Sequence, residues 1–407
     1  MARAAVGRGD KPRGYPETPV ARRLRVLLAL LGLALAAACQ PREHTLTVAV
    51  ALLPSELPGY REVVRGFEQE SGWRVVVVPQ QYADIRRALA AEAAAGSGTL
   101  DLVELDIYSL PAAAAHVAVL DEAALAAELP ALAPVAVQAG RIDGLRFLPH
   151  RLTWQALLYN HAVLGAAPRS WDELLAVARA HRGGIGMKGA RYEGLTCDVL
   201  PFVWAAGGRA DAFDDAAARA AFRFLAELAP TLNPQSATFR EASIAEAMAR
   251  GEIVLHLNWP FAMSLFASQG LAPNPIRAAP LPAGPAGTAT VLGGGYLAIP
   301  RGAPQASEAL RLARYLLSER AQRHLHDRLG WFSARRDVVF GNGSGLLAGF
   351  AAMHDTVRAR PARADYPRMS RLWQEAFRAV AFERADPDAA LAAAARQWAT
   401  EQARTPE

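Results

Sequence analysis

The sequence predicts an α/β fold built as two lobes. Three mainly apolar segments, at residues 46–53, 73–78 and 100–105, alternate with segments of helical periodicity. Near-continuous apolar strands in a βαβαβ order are typical of a parallel sheet covered on both faces, with a crevice at the carboxyl ends of its strands. About 369 residues follow residue 38, which is more than one hydrophobic core commonly serves. We therefore expect two lobes.

Each element of the first half has its own signal. Tyr60, Val63, Val64 and Phe67 recur at helical spacing after the first strand. Pro79 ends the second strand, and the next helix is predicted over residues 83–95.

The second half repeats the same pattern with more helix. Ser170 to Glu173 forms a capping box that opens a helix through residue 180. An Ala-rich helix is predicted near 212–229 and a strand at 253–257. The last predicted helices lie near 305–326, 366–382 and 387–403.

The N-terminus predicts export and a lipid anchor. Arg22, Arg23 and Arg25 precede an apolar run at 26–38, which is too short for a membrane-spanning helix. The residues before Cys39 resemble a bacterial lipobox, with Ala36 where Leu is usual. We expect a signal peptide at 1–38 and a lipidated linker at 39–45 that begins with Cys39; a soluble secreted form is the alternative. The polar residues 1–20 are an extended leader or lie upstream of the true start.

Charge and cysteine content exclude two classes of protein. Residues 1–38 hold 7 basic and 2 acidic residues, so the remainder carries 37 of each and is formally neutral. A neutral chain argues against a nucleic-acid surface. Cys197 is the only cysteine besides Cys39, and an acylated Cys39 leaves it no partner in the chain, so we expect no structural disulfide.

No enzyme signature is present. The sequence lacks a Gly-x-Ser-x-Gly elbow, a His-Glu-x-x-His pair, a Walker A pattern and a Cys-x-x-Cys pair. Gly341 to Gly345 is interpreted as a surface loop. His324 and His326 lie two apart on a predicted helix and point to different faces. We expect no catalytic residue, no metal and no cofactor.

Aromatic residues stand beside Gly and Pro at predicted strand ends. Trp259 follows the strand at 253–257, Tyr296 follows three glycines, and Tyr192 lies in a predicted Gly-rich loop. Such rings can face the crevice, where a pyranose offers an apolar face for stacking and hydroxyls for polar side chains. Core packing is the alternative for any one of these rings.

The order of these blocks resembles a known family. Five segments are, in the same order, similar to blocks of the bacterial extracellular solute-binding proteins of ABC importers, maltose and trehalose class, family 1. The segments are Tyr192 to Thr196, Trp204 to Gly208, Gly251 to Pro260, Gly293 to Ile299 and Arg360 to Ser370. The resemblance implies a periplasmic-binding-protein-like type II fold, with two α/β lobes, a central ligand cleft and crossing strands as a hinge.

The resemblance also implies ligand-binding residues. It assigns ring stacking to Trp259 and Tyr296, amide donation to Gly294 and Gly295, and polar contacts to Tyr192, Glu193, Asp106 and Arg360, with Glu56 and Gln81 as looser matches. Trp154-Gln155 departs from the pattern, because many relatives carry acidic residues there. Trp154 is therefore expected to add a stacking face.

The implied function is capture of a di- or oligosaccharide resembling trehalose, maltose or sucrose, and its delivery to ABC permease subunits. We expect a monomer anchored by lipid at the periplasmic or extracellular face of the membrane. Lobe 1 is predicted at 46–152 plus 298–340 and lobe 2 at 153–297 plus 341–407, with crossings near 151–156, 292–300 and 338–345. Three alternatives stay open. The first is a binder of a non-sugar solute such as glycerol phosphate, a polyamine or an anion. The second is a glycosidase using Glu193 and Asp106, and the third is a tethered interaction module without a small ligand.

Overall fold

The computed structural model describes residues 44–268, 275–338 and 348–403. The predicted signal peptide, Cys39 and the Gly341 to Gly345 loop lie outside the described residues.

Strands and helices alternate through the described part of the chain. The strands, in chain order, are β1 (Thr45–Ala51), β2 (Arg74–Gln80), β3 (Leu102–Asp106), β4 (Leu148–Trp154), β5 (Ala156–Asn160), β6 (Ile185–Gly186), β7 (Leu255–Asn258), β8 (Ile276–Ala279), β9 (Thr290–Ala298), β10 (Phe332–Ser333) and β11 (Val357–Arg358). The helices are α1 (Leu57–Ser71), α2 (Tyr82–Ala95), α3 (Leu110–Ala113), α4 (Pro134–Ala139), α5 (His161–Leu164), α6 (Trp171–Ala180), α7 (Glu193–Ala205), α8 (Ala216–Leu228), α9 (Glu241–Ala249), α10 (Phe261–Ser268), α11 (Ala306–Leu316), α12 (Glu319–Leu329), α13 (Ala348–Ala351), α14 (Tyr366–Glu383) and α15 (Pro387–Ala403).

The first lobe is built on a mixed sheet of seven strands, with six in the order β10-β4-β9-β3-β1-β2 and β11 paired with β9. The strands β1 and β3 are parallel, as the βαβαβ pattern predicts. The sheet also contains β9, which lies outside the βαβαβ segment and runs antiparallel to both β3 and β4. The reason is that β4 and β9 come from distant parts of the chain, so their direction does not follow from a local βαβ repeat.

The second lobe is built on a sheet in the order β6-β7-β5-β8. Its interior is apolar, but Lys188 and Asp198 are fully buried there, with 2.6 Å between Lys188 Nζ and Asp198 Oδ1. Lys188 Nζ also donates to the Leu257 carbonyl at 3.0 Å. Asp198 in turn accepts from the Gln155 side chain at 3.2 Å. Since Gln155 is the residue between β4 and β5, this pair ties α7 to the point where the chain passes from one sheet to the other.

The chain passes from the first sheet to the second between β4 and β5. The chain leaves the first sheet after Trp154, which pairs with Leu292 of β9, and the Thr290 hydroxyl donates to the Gln155 carbonyl at 2.9 Å. The exact boundaries of the two lobes stay a prediction.

Several local predictions agree with the structure. Ser170 caps α6, with its Oγ accepting from the Glu173 amide at 3.2 Å, and the final helix occupies Pro387–Ala403. Two predictions need correction. The helix expected at 305–326 is two helices, because Ser318 turns out of the helical conformation and caps α12 by accepting from the Ala321 amide. The loop expected at Tyr192 is the start of α7, whose first residue is Glu193.

Within the described ranges, none of the helices combines the length and the apolar character that crossing a membrane requires.

Candidate functional site

Asp106 stands at the carboxyl end of β3, on the first lobe. Its Oδ1 accepts from the Tyr108 amide at 3.0 Å, which caps a short 3-10 turn. The side chain is 24% exposed, so the carboxylate is accessible from one side only. Burial raises the pKa of Asp106 to about 6, and the nearby positive charge of Arg360 opposes that rise.

Arg360 approaches Asp106 from the chain that leads into α14. Its Nη1 donates to Glu193 Oε1 at 2.6 Å, and its Nη2 lies 3.9 Å from Asp106 Oδ1. The guanidinium carbon lies 5.9 Å from the centre of the Tyr108 ring. Asp106 belongs to the first sheet, whereas Glu193 opens α7, which is tied to the second sheet. The structure therefore brings three of the predicted polar residues together where the two lobes meet.

Trp259 lies directly after β7, where the sequence placed it. Its side chain is half-buried against the core, and a Cβ added to Gly293 would come within 2.9 Å of the Trp259 ring. The ring and the glycine segment of β9 are thus in contact, and Gly293 makes room for the ring. This contact joins an aromatic residue at the end of β7 to β9, the strand beside Asp106.

Tyr296 and Trp154 are not open to the cleft, which corrects the expectation of stacking from either ring. Tyr296 is fully buried, and its hydroxyl donates to the Ala136 carbonyl at 3.1 Å. Side chains alternate along β9, and this position faces the core beneath α4. Trp154 is also buried, with its Nε1 donating to the Phe350 carbonyl at 2.7 Å and its ring 4.8 Å from Phe332.

The two remaining glycines serve the packing of the first lobe. A Cβ on Gly295 would come within 2.1 Å of Glu104 Oε1, and one on Gly294 within 2.4 Å of the Arg151 carbonyl. Gly294 also has a φ of 149°, which disfavours other residues. Their predicted amide donation to a ligand stays a prediction.

The looser matches have other partners. Glu56 accepts from the Trp331 Nε1 at 2.8 Å and from the Leu53 amide at 2.7 Å. Gln81 is exposed at the start of α2. The Tyr192 ring lies 4.5 Å from the Arg240 guanidinium, so this ring is already covered by a cation on that face.

A cluster around Arg151 was missed by the sequence analysis. The Arg151 guanidinium lies 3.8 Å from the centre of the Trp331 ring and donates to the Tyr82 hydroxyl at 3.0 Å. It also pairs with the fully buried Glu104 at 3.1 Å, which His150 Nδ1 contacts at 2.9 Å. Burial opposes ionisation of Glu104, but Arg151 and His150 hold its pKa below the ordinary value. A charged residue in the apolar segment of β4 was the one signal that could have indicated this cluster.

An apolar pocket lies elsewhere, inside the second lobe, lined in part by Leu157, Trp171 and His256. Burial and the neighbouring Lys188 lower the pKa of His256 to about 3, so this histidine is neutral. The pocket shares no lining residue with the Asp106 and Arg360 group. Over the part of the chain that the structure describes, no three His, Cys, Asp or Glu side chains converge as metal ligands.

The fold defines a class of protein: an α/β binding protein of the type II periplasmic kind, with two lobes. The chain belongs to the bacterial extracellular solute-binding proteins, whose family pattern matches residues 62–341. Proteins of this family act outside the cytoplasm, and that location follows for this chain.

Individual relatives agree with this assignment. The "Probable ABC transporter-binding protein" of Deinococcus radiodurans is 27% identical over 332 residues, covering 74% of this chain and 79% of that protein. The maltose-bound MalE3 of T. maritima is 25% identical, with a TM-score of 0.73 over 88% of this chain and 99% of its own. An ABC transporter solute-binding protein of Thermotoga lettingae, bound with α-D-tagatose, is 24% identical, with a TM-score of 0.75 and the same coverage of both chains.

Proposed function

We propose that this protein binds a di- or oligosaccharide between its two lobes and delivers it to an ABC permease. The observation that carries the proposal is the approach of Asp106, at the end of β3, to the pair of Arg360 and Glu193, together with the contact of Trp259 with Gly293 of the neighbouring strand β9. Closure of the lobes around the solute would bury these groups and present one closed form to the permease.

The chemistry of these residues suits a neutral polyhydroxyl ligand. A carboxylate accepts from a sugar hydroxyl, a guanidinium donates to one, and an indole ring covers the apolar face of a pyranose. An anionic solute is disfavoured, because Arg360 is paired with Glu193 and Arg151 with Glu104. Neither cation is left without a carboxylate, and Asp106 adds a negative charge when it is ionised.

Bound ligands of the structural relatives support the sugar class. Maltose is bound to MalE3 of T. maritima, α-D-tagatose to the protein of Thermotoga lettingae, and maltotetraose to a cyclo/maltodextrin-binding protein of 18% identity. For this chain we propose a glucose-based disaccharide or longer glucan, of the trehalose, maltose or sucrose type.

We further propose a lipid-anchored monomer. The support is the basic, apolar and small-residue order of residues 22–38 before Cys39. Expression of the full chain in a bacterium with labelled palmitate tests the anchor: label should enter the wild-type protein and not the Cys39→Ala variant. Equal labelling of both would refute it.

Calorimetric titration of the purified protein without its leader tests the function. The panel comprises trehalose, maltose, sucrose, longer glucans and glycerol phosphate. Heat and thermal stabilisation with at least one sugar, and none with glycerol phosphate, is the expected outcome. The absence of heat and of thermal stabilisation with every sugar of the panel would refute sugar capture. Analysis of the sugars after long incubation should find them intact, whereas hydrolysis products would indicate a glycosidase.

A further inference from the structure

Glu193 is held by three donors that all come from one segment of the chain. Its Oε1 accepts from Arg360 Nη1 at 2.6 Å and from the Tyr366 hydroxyl, and its Oε2 accepts from Ser370 Oγ at 2.7 Å. An ionised carboxylate has about four acceptor sites, so most of this one's capacity is used within the protein. Although 22% of the Glu193 side chain is exposed, both of its oxygens are directed at residues 360–370.

The donors to Glu193 are themselves buried and fixed. Tyr366 and Ser370 are each 2% exposed. Ser370 Oγ also lies 2.6 Å from Thr196 Oγ1 and accepts from Gln374 Nε2 at 3.0 Å. These contacts join the first turns of α7 and α14. Both residues are too buried for a solute in the cleft to touch, and Glu193 is the group that links them to Arg360.

Not all N–H groups of Arg360 are used in hydrogen bonds to the described residues. Its Nη1 is directed at Glu193, but its Nε is buried and has no hydrogen-bond partner among the described residues. Its Nη2 lies 3.5 Å from the Leu292 carbonyl and 3.9 Å from Asp106, which is too long for a direct hydrogen bond to the carboxylate. A hydroxyl oxygen about 2.8 Å from both Nη2 and Oδ1 would bond to them at an angle of roughly 90°, so a single hydroxyl group can bridge the two.

We propose that Glu193 is a positioning residue for solute binding rather than a contact. It fixes Arg360 so that Nη2 and the Asp106 carboxylate present one donor and one acceptor to the same solute hydroxyl. This inference rests on the proposed sugar capture. It names the chemistry that the site selects at this point: a free hydroxyl group, which accepts from Arg360 and donates to Asp106. An ether or a deoxy position satisfies at most one of these two partners.

A double-mutant cycle separates positioning from contact. Glu193→Gln in the wild-type background should weaken sugar binding about tenfold, since it loosens a charged hydrogen bond. In the Arg360→Met background the same change should leave the remaining affinity unaltered, because no guanidinium is left to position. An equal loss in both backgrounds would show that Glu193 touches the sugar and would overturn the proposal.

A second measurement does not depend on a sugar. Tyr366→Phe removes one donor to Glu193 without changing any group that a solute can reach. Nuclear magnetic resonance of ¹⁵N-arginine protein should show faster rotation of the Arg360 guanidinium in this variant than in the wild type. Tyr315→Phe is the matched control, because its hydroxyl donates to the Val63 carbonyl at 3.0 Å in the first lobe.

The two readouts distinguish the possible failures. Arg360 signals that are unchanged in both Tyr366→Phe and Glu193→Gln would overturn the positioning role whether or not the protein binds sugar. A wild-type protein that binds no sugar, with Arg360 mobilised in Tyr366→Phe, would retain the positioning role and refute the sugar as its purpose. Midpoints of thermal unfolding identify any variant that has lost its fold.

Discussion

Asp106 and Arg360 face each other at 3.9 Å although 254 positions separate them in the chain. At this distance the two charged groups are too far apart for a direct hydrogen bond but close enough to interact electrostatically. In the proposed function, closure of the lobes on a solute changes this distance, so the pair should report on both events.

The first prediction concerns pH. The pKa of Asp106 is raised to about 6 by burial, against the opposing charge of Arg360. A sugar hydroxyl donates to the ionised carboxylate, so protonation of Asp106 competes with binding, and the affinity at pH 5 should be about tenfold lower than at pH 7.5. Calorimetric titrations across this range measure the effect. Asp106→Asn should bind more weakly at neutral pH and show a flat profile; a profile as steep as that of the wild type would assign the titration to another group.

The raised pKa of Asp106 also makes the free energy of unfolding depend on pH, in the opposite direction from that of a salt-bridged aspartate with a lowered pKa. Because the folded-state pKa is raised, the folded protein holds this proton more tightly than the unfolded chain. The contribution of Asp106 to stability is therefore present at low pH and is lost as pH rises from about 4 through about 6. Urea unfolding of the wild type and of Asp106→Asn at several pH values should show the difference between them growing towards pH 7.

The second prediction concerns Trp259. Trp259→Ala should weaken sugar binding about tenfold or more, since it removes a large aromatic contact beside Gly293. Trp398→Ala is the control, because this half-buried ring packs on Phe213 in the second lobe. That control should lower the unfolding temperature and keep the affinity. Equal affinity in Trp259→Ala and the wild type would remove Trp259 from the site.

The third prediction concerns the buried ion pair of Lys188 and Asp198. Lys188→Met leaves a fully buried carboxylate without its cation and should lower the free energy of unfolding by about 3–5 kcal/mol. Lys188→Met with Asp198→Asn removes both charges and should recover part of that loss, measured by urea unfolding. A double variant less stable than Lys188→Met would contradict this account.

The fourth prediction concerns the glycine segment of β9. Gly295→Ala places a Cβ within 2.1 Å of Glu104 Oε1 and 2.8 Å of the Tyr82 hydroxyl. The buried cluster must shift, which should cost about 1–3 kcal/mol of stability. Gly302→Ala is the control, because its nearest neighbour would be the Gly98 amide at an ordinary 3.5 Å. Similar unfolding midpoints for both variants would show that the residues of the cluster rearrange at little cost in stability.

Much of the fold was predictable because its signals are local. An apolar run between turn residues predicts β3, and Ser170 with Glu173 predicts the start of α6 through a capping box that spans four residues. The break at Ser318 was missed because the apolar periodicity continues across it, although the residue is a favourable N-cap.

The site was only partly predictable. Asp106 and Trp259 were predicted at strand ends, and the structure has them at the ends of β3 and β7. Tyr296 is buried because side-chain alternation along β9 directs it towards α4, where its hydroxyl donates to the Ala136 carbonyl. Arg151 and Trp331 are 180 positions apart, and no local pattern indicates that their side chains stack.

The amino-acid sequence by itself determined the alternation of strands and helices, the membership of the family, and the polar and aromatic residues at strand ends. These depend on periodicity, capping and short motifs, which act over a few residues. The tertiary structure decided which of those residues meet. It buried Tyr296 and Trp154, and it gave Glu193 three internal donors and set Asp106 opposite Arg360. The physical reason is that the surroundings of a side chain are made by segments far away in the chain, whose packing no local pattern describes.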